Sequence, residues 1–549
     1  MNLIISFLLF GLLEASSYEK YISTKQSYSL LLNATERIHA TPHITNLVRN
    51  GSDNIDIYNP SKLKQLGLKI EDLHIVSAEP NNLDEFYDTE HFRIYFTTQG
   101  DSAVEDMNYV YNMAQVYETV YSFFIDSLGY NPPVVDPNVN HNLYEIYIER
   151  LPSYYFGITY TKNTNVANSA CASFIKMRNN YTGSQFSDHT ELENIQVTAV
   201  HEFFHAIQFS YNCYERIWFM EATAVWSEDE LYNDINDLYR YIPSWFSNTN
   251  KAIDDESSHM YGSFIYFQYI DEHLGGPGTI KSCWEQSQEM ASPIHDKSID
   301  AINAALVNHG SSFEDAYLRM RIANRIMNSN AGIYSYDEAD GYLSVGSYPL
   351  SEDIFFQEGI SKTEGYQGLD LYESKYYSIY SSSPINIEMS PYDEKLSMIS
   401  IVKYINQEVW SVRSGNTINI DTDIDIDWIS IIISALDYNG NNWDYILNLN
   451  DGYSEDFTLY HPYPNPSFGK PITIDMQIIN SQTISTTIYN ILGKTVWNTT
   501  KQYTEPGFTR LIWDGQNNNG ARVANGLYIV KAEGLKKNMI YKIIYLKEE

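Results

Sequence analysis

The sequence predicts a multidomain α+β chain, in which a mostly helical domain with a small sheet is followed by two β-sandwich domains. Three observations predict it. A length of 549 residues suits three or four domains. From about residue 86 to 345 apolar residues recur mainly at helical spacing, with a few strand-like runs in the first half. From about 346 to 457 the pattern changes to short alternating runs, such as Lys375–Tyr380 and Trp428–Leu436. Turn signals at Asn439-Gly440 and Asn450-Asp451-Gly452 break them up, as a β-sandwich requires.

In chain order, Leu3–Leu13 is an apolar run too short to span a membrane and suited to a signal-peptide core. Small residues follow at Ala15-Ser16-Ser17, so residues 1–17 are expected to be a signal peptide, although no Lys or Arg precedes Lys20. No other stretch reaches transmembrane length, so a stable span in the mature protein is not expected. Residues 18–85, polar and broken by Asn-Pro and Glu-Pro pairs, form an N-terminal region or a propeptide.

The chemistry concentrates in the next region, residues 86–345. His201-Glu202-Phe203-Phe204-His205 is an H-E-x-x-H motif, and Ile195–Tyr211 contains no Gly or Pro, which predicts a helix. Residues four apart share a helix face, so both imidazoles can meet one metal ion, with Glu202 beside them as a general base for a water. A catalytic zinc keeps three protein ligands and one open position. Glu221 and Glu228 both qualify as the third ligand. They lie seven apart on a predicted helix, Phe219–Leu231, so one can bind metal while the other orients a histidine.

Trp218-x-x-Glu221-Ala-x-Ala resembles the W-x-x-E-G-x-A segment of gluzincin metallopeptidases, which bind zinc through two His and one Glu. The resemblance makes His201, His205 and Glu221 the zinc ligands and places Glu228 behind them. His259-Met260-Tyr261-Gly262-Ser263-Phe264 is similar to the helix that carries the oxyanion-stabilising tyrosine in that clan, which implies Tyr261, with His259 as the rival donor. Here Gly262 follows Tyr261 at once, whereas the family pattern places two residues between them. The aminopeptidases' G-x-M-E-N strand has no counterpart. Ala172–Met177 alternates and is expected to be an edge strand above the metal, where an extended peptide can add. Without an amine-binding carboxylate, endopeptidase action is favoured over exopeptidase action. The similarity to secreted bacterial gluzincin-like peptidases runs over about residues 85–330. It includes a strand at His91–Phe96 and the stretch from Trp226 to Trp245.

Three cysteines, Cys171, Cys213 and Cys283, permit at most one disulfide and are read as packing residues. The net charge of −35 argues against nucleic acid and anionic membranes as partners. It suits calcium, and Asp421–Asp427 has the look of a calcium loop, but Ile at alternate positions reads better as a strand.

The last segment, residues 458–549, shows Gly-containing turns between alternating strands, a second small sandwich. Tyr463-Pro464-Asn465-Pro466, Ile488–Lys494, Trp513-Asp514-Gly515 to Asn519-Gly520, and Ala524–Tyr528 follow in an order similar to the C-terminal sorting domain of type IX secretion. That resemblance implies the type IX machinery as a partner and a secreted or cell-surface location in a Gram-negative bacterium.

The function expected from sequence is therefore a secreted zinc metallopeptidase acting on proteins or peptides. The alternative is a cell-surface adhesion or carbohydrate-binding protein built on a degenerate peptidase domain. A zinc hydrolase of non-peptide bonds remains a third reading of the same metal site.

Overall fold

The computed structural model describes residues 24–547 apart from 34–38, 51–57, 67, 72–73, 78–82, 168, 293–294, 347, 406–409, 422–424, 438–441, 453–456 and 536. The expected signal peptide and the Asn439-Gly440 turn lie outside the described residues. The fold is a multidomain mixture of helices and sheets with a β-rich C-terminal region. It divides into two compact units, one running to Tyr241 and resuming at Asp254–Val307, the other built from Ile242–Ile253 and from Asn308 onward.

The first unit begins with helices α1 (Thr24–Asn33), α2 (Ala40–Asn50) and α3 (Pro60–Gln65) and a hairpin of β1 (Leu68–Glu71) and β2 (His74–Ser77). A five-stranded sheet follows, made of β3 (Glu85–Asp88), β4 (Phe92–Phe96), β5 (Tyr144–Glu149), β6 (Gly157–Ala167) and β7 (Ala170–Arg178), in the order β3-β4-β5-β7-β6. Strands β4, β5 and β7 are parallel, and β3 and β6 close the two edges antiparallel. Helix α4 (Met107–Tyr121) makes the crossover from β4 to β5 that parallel pairing demands.

Tyr28, Leu31, Ile44 and Leu47 of the N-terminal helices share one core with Tyr147, Tyr155, Ile158 and Phe174 of the sheet region. These N-terminal helices therefore belong to the body of this unit. Ala172–Met177, expected at an edge, is interior: it lies in β7, every residue of which is buried, between β5 and β6. The edge falls to β6, because the chain reverses after β6 and returns as β7 with Ile158 opposite Lys176.

The other face of the unit is helical. Helix α5 (Glu191–Tyr211) is capped by Thr190, whose hydroxyl accepts from the Glu193 N–H while Glu193 Oε2 accepts from the Thr190 N–H at 2.7 Å. It is buried over nearly its whole length, which is why its apolar residues form no single stripe. Helix α6 (Ile217–Tyr232) packs beside it. Helix α7 (Ile242–Ser247) belongs to the second unit. Then α8 (His259–Gly262), α9 (Phe264–His273), α10 (Pro277–Met290) and α11 (Ser298–Val307) complete the first.

Cys171 and Cys213 form a disulfide, with Cα atoms 5.8 Å apart, so the reading of all three cysteines as packing residues is corrected. The bond joins the start of β7 to the turn after α5, two places that come together only once the helix lies on the sheet. Cys283 is a buried free thiol.

In the second unit, α12 (Phe313–Ile326) and α13 (Ala339–Val345) fold with the sandwich rather than with the helical domain that the sequence suggested up to residue 345. The Tyr317 hydroxyl donates to the Tyr372 carbonyl at 2.6 Å and Tyr376 donates to the Arg321 carbonyl, tying α12 to the first sandwich. That sandwich packs a five-stranded sheet on a four-stranded one around Ile387, Ile431, Leu447 and Leu449. The last sandwich pairs a three-stranded with a five-stranded sheet around Ile474, Met476, Ile488 and Trp513. Of the Asp421–Asp427 run, residues 422–424 lie outside the described residues. Asp425 and Asp427 are exposed where the strand Ile426–Ala435 begins.

Candidate metal centre

Helix α5 supplies both imidazoles from one face, one turn apart, and α6 brings Glu221 across from them. His201 Nε2 and His205 Nε2 lie 3.1 Å apart. Glu221 Oε1 is 2.9 Å from His205 Nε2, and Glu221 Oε2 is 3.4 Å from His201 Nε2. A tetrahedral zinc with bonds of about 2.0–2.1 Å separates its ligand atoms by roughly 3.3 Å, close to these spacings. All three side chains are at most 2 % exposed.

The remaining nitrogens are committed elsewhere. His201 Nδ1 is 2.7 Å from Glu228 Oε1, and His205 Nδ1 is 2.8 Å from Gln208 Oε1. With each Nδ1–H donating to these acceptors, each Nε2 lone pair faces the common centre, the tautomer a metal-binding histidine needs. Gln208 is fixed in turn by its amide, which donates to the Met220 carbonyl and the Thr223 hydroxyl.

The donor set fits a cation on its own evidence. The two Nε2 atoms, 3.1 Å apart, are close enough to share either a proton or a metal ion. Both Glu221 carboxylate oxygens are buried and make no well-shaped hydrogen bond. Burial alone would lower His201, yet Glu221 and Glu228 hold it up at about 10. Burial alone would raise Glu221, yet the imidazoles hold it down at about 2. The carboxylates thus favour positive charge, whether a proton or a metal ion, beside the imidazoles.

Glu202, one residue after His201, is 2 % exposed. Its Oε2 accepts from the Thr159 hydroxyl at 2.7 Å and from the Thr41 hydroxyl at 2.8 Å. Thr159 lies on the edge strand β6, so the Glu202 carboxylate is anchored to the strand beside it. Tyr261 sits on the short helix α8, its ring 5.3 Å from Tyr241. Burial, followed by the charge of Glu221, pushes its hydroxyl well above the usual range, so it stays protonated and able to donate. His259 is also buried, two residues before it.

Sequence reasoning placed His201, His205, Glu202, Glu221, Glu228, Tyr261 and His259, and all of them lie on helices α5, α6 and α8. It missed four neighbours. Gln208 was legible in principle, three residues after His205 on the same face. Thr159, Thr41 and His39 were not, since no local spacing links them to a motif 43 to 162 residues away. His39 offers a ring nitrogen that lies within 4.8 Å of ligand atoms of His201 and Glu221.

A model of a family of unknown function (DUF6055) matches residues 51–309, a little under half of the chain, and an FlgD Ig-like domain model matches residues 467–538. No curated protein matches. Solved structures similar to parts of the chain include PorZ of Porphyromonas gingivalis, described as an essential bacterial surface component of the type IX secretion system. It is 23% identical over 16% of this chain and 11% of its own, with a TM-score of 0.13. Dimeric latent PorU from the same organism is 13% identical over 31% of this chain and 19% of its own, with a TM-score of 0.18. A β-glucuronidase of Parabacteroides merdae is 10% identical over 32% and 27%, with a TM-score of 0.15. The chain thus spans between about a tenth and a quarter of these proteins, and likeness at such TM-scores carries no functional argument. Among the described residues, no helix is long and apolar enough to cross a membrane.

Proposed function

We propose that the chain is a gluzincin-type zinc endopeptidase that is exported to the cell surface or beyond. The observation that carries the reading is the mutual spacing of His201 Nε2, His205 Nε2 and the Glu221 carboxylate, 2.9 to 3.4 Å, with an acceptor behind each histidine. His201, His205 and Glu221 would hold the ion. When bound, zinc supplies Lewis acidity, polarising a carbonyl and acidifying a water. Glu202 takes the proton of the attacking water and passes it to the leaving amine. Tyr261, or failing that His259, donates to the oxyanion as negative charge develops there. Glu228 keeps His201 in the binding tautomer. The antiparallel edge of β6 gives an extended peptide main-chain partners beside Glu202.

Export is supported by the resemblance of residues 458–549 to type IX sorting domains. The Cys171–Cys213 bond adds to it, because disulfides persist mainly in oxidising compartments.

The test is zinc content beside cleavage of an unfolded protein such as casein, in the chain and in Glu202→Gln. One zinc per chain in both, with cleavage lower by about 10²–10⁴-fold in the variant, supports the base and the reaction. Equal cleavage by Glu202→Gln would remove Glu202 from the mechanism, and absence of zinc would leave a binding protein as the better reading.

A further inference from the structure

We propose that His39 is a fourth protein ligand of the metal, and that the segment from His39 into α2 closes the site as an internal inhibitor. The proposal rests on the metal reading above and adds the regulation of that site.

Three contacts converge. The His39 ring is 4.1 Å from the His201 ring, centroid to centroid, and one of its ring nitrogens lies within 4.8 Å of potential ligand atoms of His201 and Glu221. The same ring lies 5.0 Å from Tyr261, the group placed to meet an oxyanion, and its Nε2 is 2.7 Å from the Tyr241 hydroxyl. Two residues on, Thr41 Oγ1 donates to Glu202 Oε2 at 2.8 Å and accepts from the Thr159 N–H at 2.8 Å. A short stretch of chain therefore touches a ligand, the base, the oxyanion donor and the edge strand.

Each contact opposes turnover. A zinc with four protein ligands is a closed site, with no position for water. A carboxylate oxygen already accepting two hydroxyl hydrogen bonds has its lone pairs occupied and none turned toward a water. The Thr159 N–H, satisfied by Thr41, is unavailable to a substrate carbonyl. The segment is not loosely laid there: Ala40, Ile44 and Leu47 are buried in the core shared with the sheet. Opening the site requires that α2 leave this core, by cleavage of the chain or by a partner that pulls it away.

The experiment uses the full chain and His39→Ala, each loaded with zinc and, separately, with cobalt(II). Affinity is measured by chelator competition, coordination by the cobalt absorption spectrum, and turnover on casein. The proposal expects His39→Ala to bind zinc at least about 10-fold more weakly, to shift the cobalt spectrum, and to cleave casein faster. Added imidazole should restore the spectrum, which a misfolded variant would not allow. A second variant, Thr41→Val, should raise cleavage with an unchanged cobalt spectrum. Identical affinity and spectrum in His39→Ala would overturn the fourth ligand while leaving the metal centre standing. No metal in either protein would overturn the proposal together with the metal reading, and metal content in the unmutated chain tells the two failures apart.

Discussion

Glu228 and Gln208 stand in equivalent places behind the two histidines, yet they should not be equivalent in effect. Glu228 is a buried carboxylate, 2.7 Å from His201 Nδ1, and it makes the stronger, charge-assisted bond. Removing it takes away both the orientation of the ring and negative charge that favours a cation. Glu228→Ala is therefore expected to weaken zinc binding by about 10–100-fold, measured by competition with a chromogenic chelator. Gln208→Ala removes a neutral acceptor and should weaken it less. A larger loss in Gln208→Ala than in Glu228→Ala would mean that charge is not what the outer residues supply. Further along α6, Glu230 faces Asp271, whose Oδ2 accepts from Trp226 Nε1. Burial and the neighbouring Asp271 charge raise Glu230 to about 9, so the folded chain holds a proton there that the unfolded chain has released. A raised pKa stabilises fully below the unfolded value near 4.5 and loses that contribution as pH rises through 9. Glu230→Gln should flatten the decline in melting temperature between those limits. An unchanged pH profile in the variant would show that the pair is solvated rather than proton-sharing.

At the scale of elements, α5 is held at both ends by different means. Its start has the Thr190–Glu193 capping box, and its end is tied to β7 by the disulfide and by the Ser169 hydroxyl, which donates to the Tyr211 carbonyl at 2.7 Å. Loss of the disulfide, by reduction or by Cys171→Ser, frees a loop of 42 residues in the unfolded chain. The chain-entropy treatment puts the cost at about 4 kcal/mol, a fall of roughly 10 °C in melting temperature for a unit of this size. A shift near zero would mean that packing at Ser169 and Cys213 alone holds the helix end. The elements show what sequence could and could not carry. Helices α5 and α6 were legible as long runs without Gly or Pro, and the sandwich strands by alternation at period 2. The proximity of His201 and His205 was legible because they are one helical turn apart, and only Glu221 had to be brought from a second helix. The order β5-β7-β6 was not, because alternation in Ala172–Met177 marks a strand without saying which neighbour covers its edge. The Cys171–Cys213 pairing and the approach of His39 and Thr41 were hidden likewise, since each depends on packing between distant segments.

At the scale of the molecule, the candidate metal centre lies wholly within the first compact unit, and the second has its own cores in its two sandwiches. Stability from a bound ion should follow that division. A ligand that binds only the folded state stabilises by RT ln(1 + [L]/Kd), about 2.7 kcal/mol at a hundredfold excess over Kd. That free energy enters the unfolding of the unit holding the site and no other. Chelation should therefore lower one calorimetric transition by several degrees and leave a second in place, and added zinc should restore the first in a concentration-dependent way. Reduction of the disulfide should move the same transition, because Cys171 and Cys213 belong to the same unit. If chelation shifted every transition together, the two units would unfold as one, and the metal would be stabilising the whole chain. If it shifted none, the close-packed histidines and carboxylates would be held by their own protons rather than by a metal.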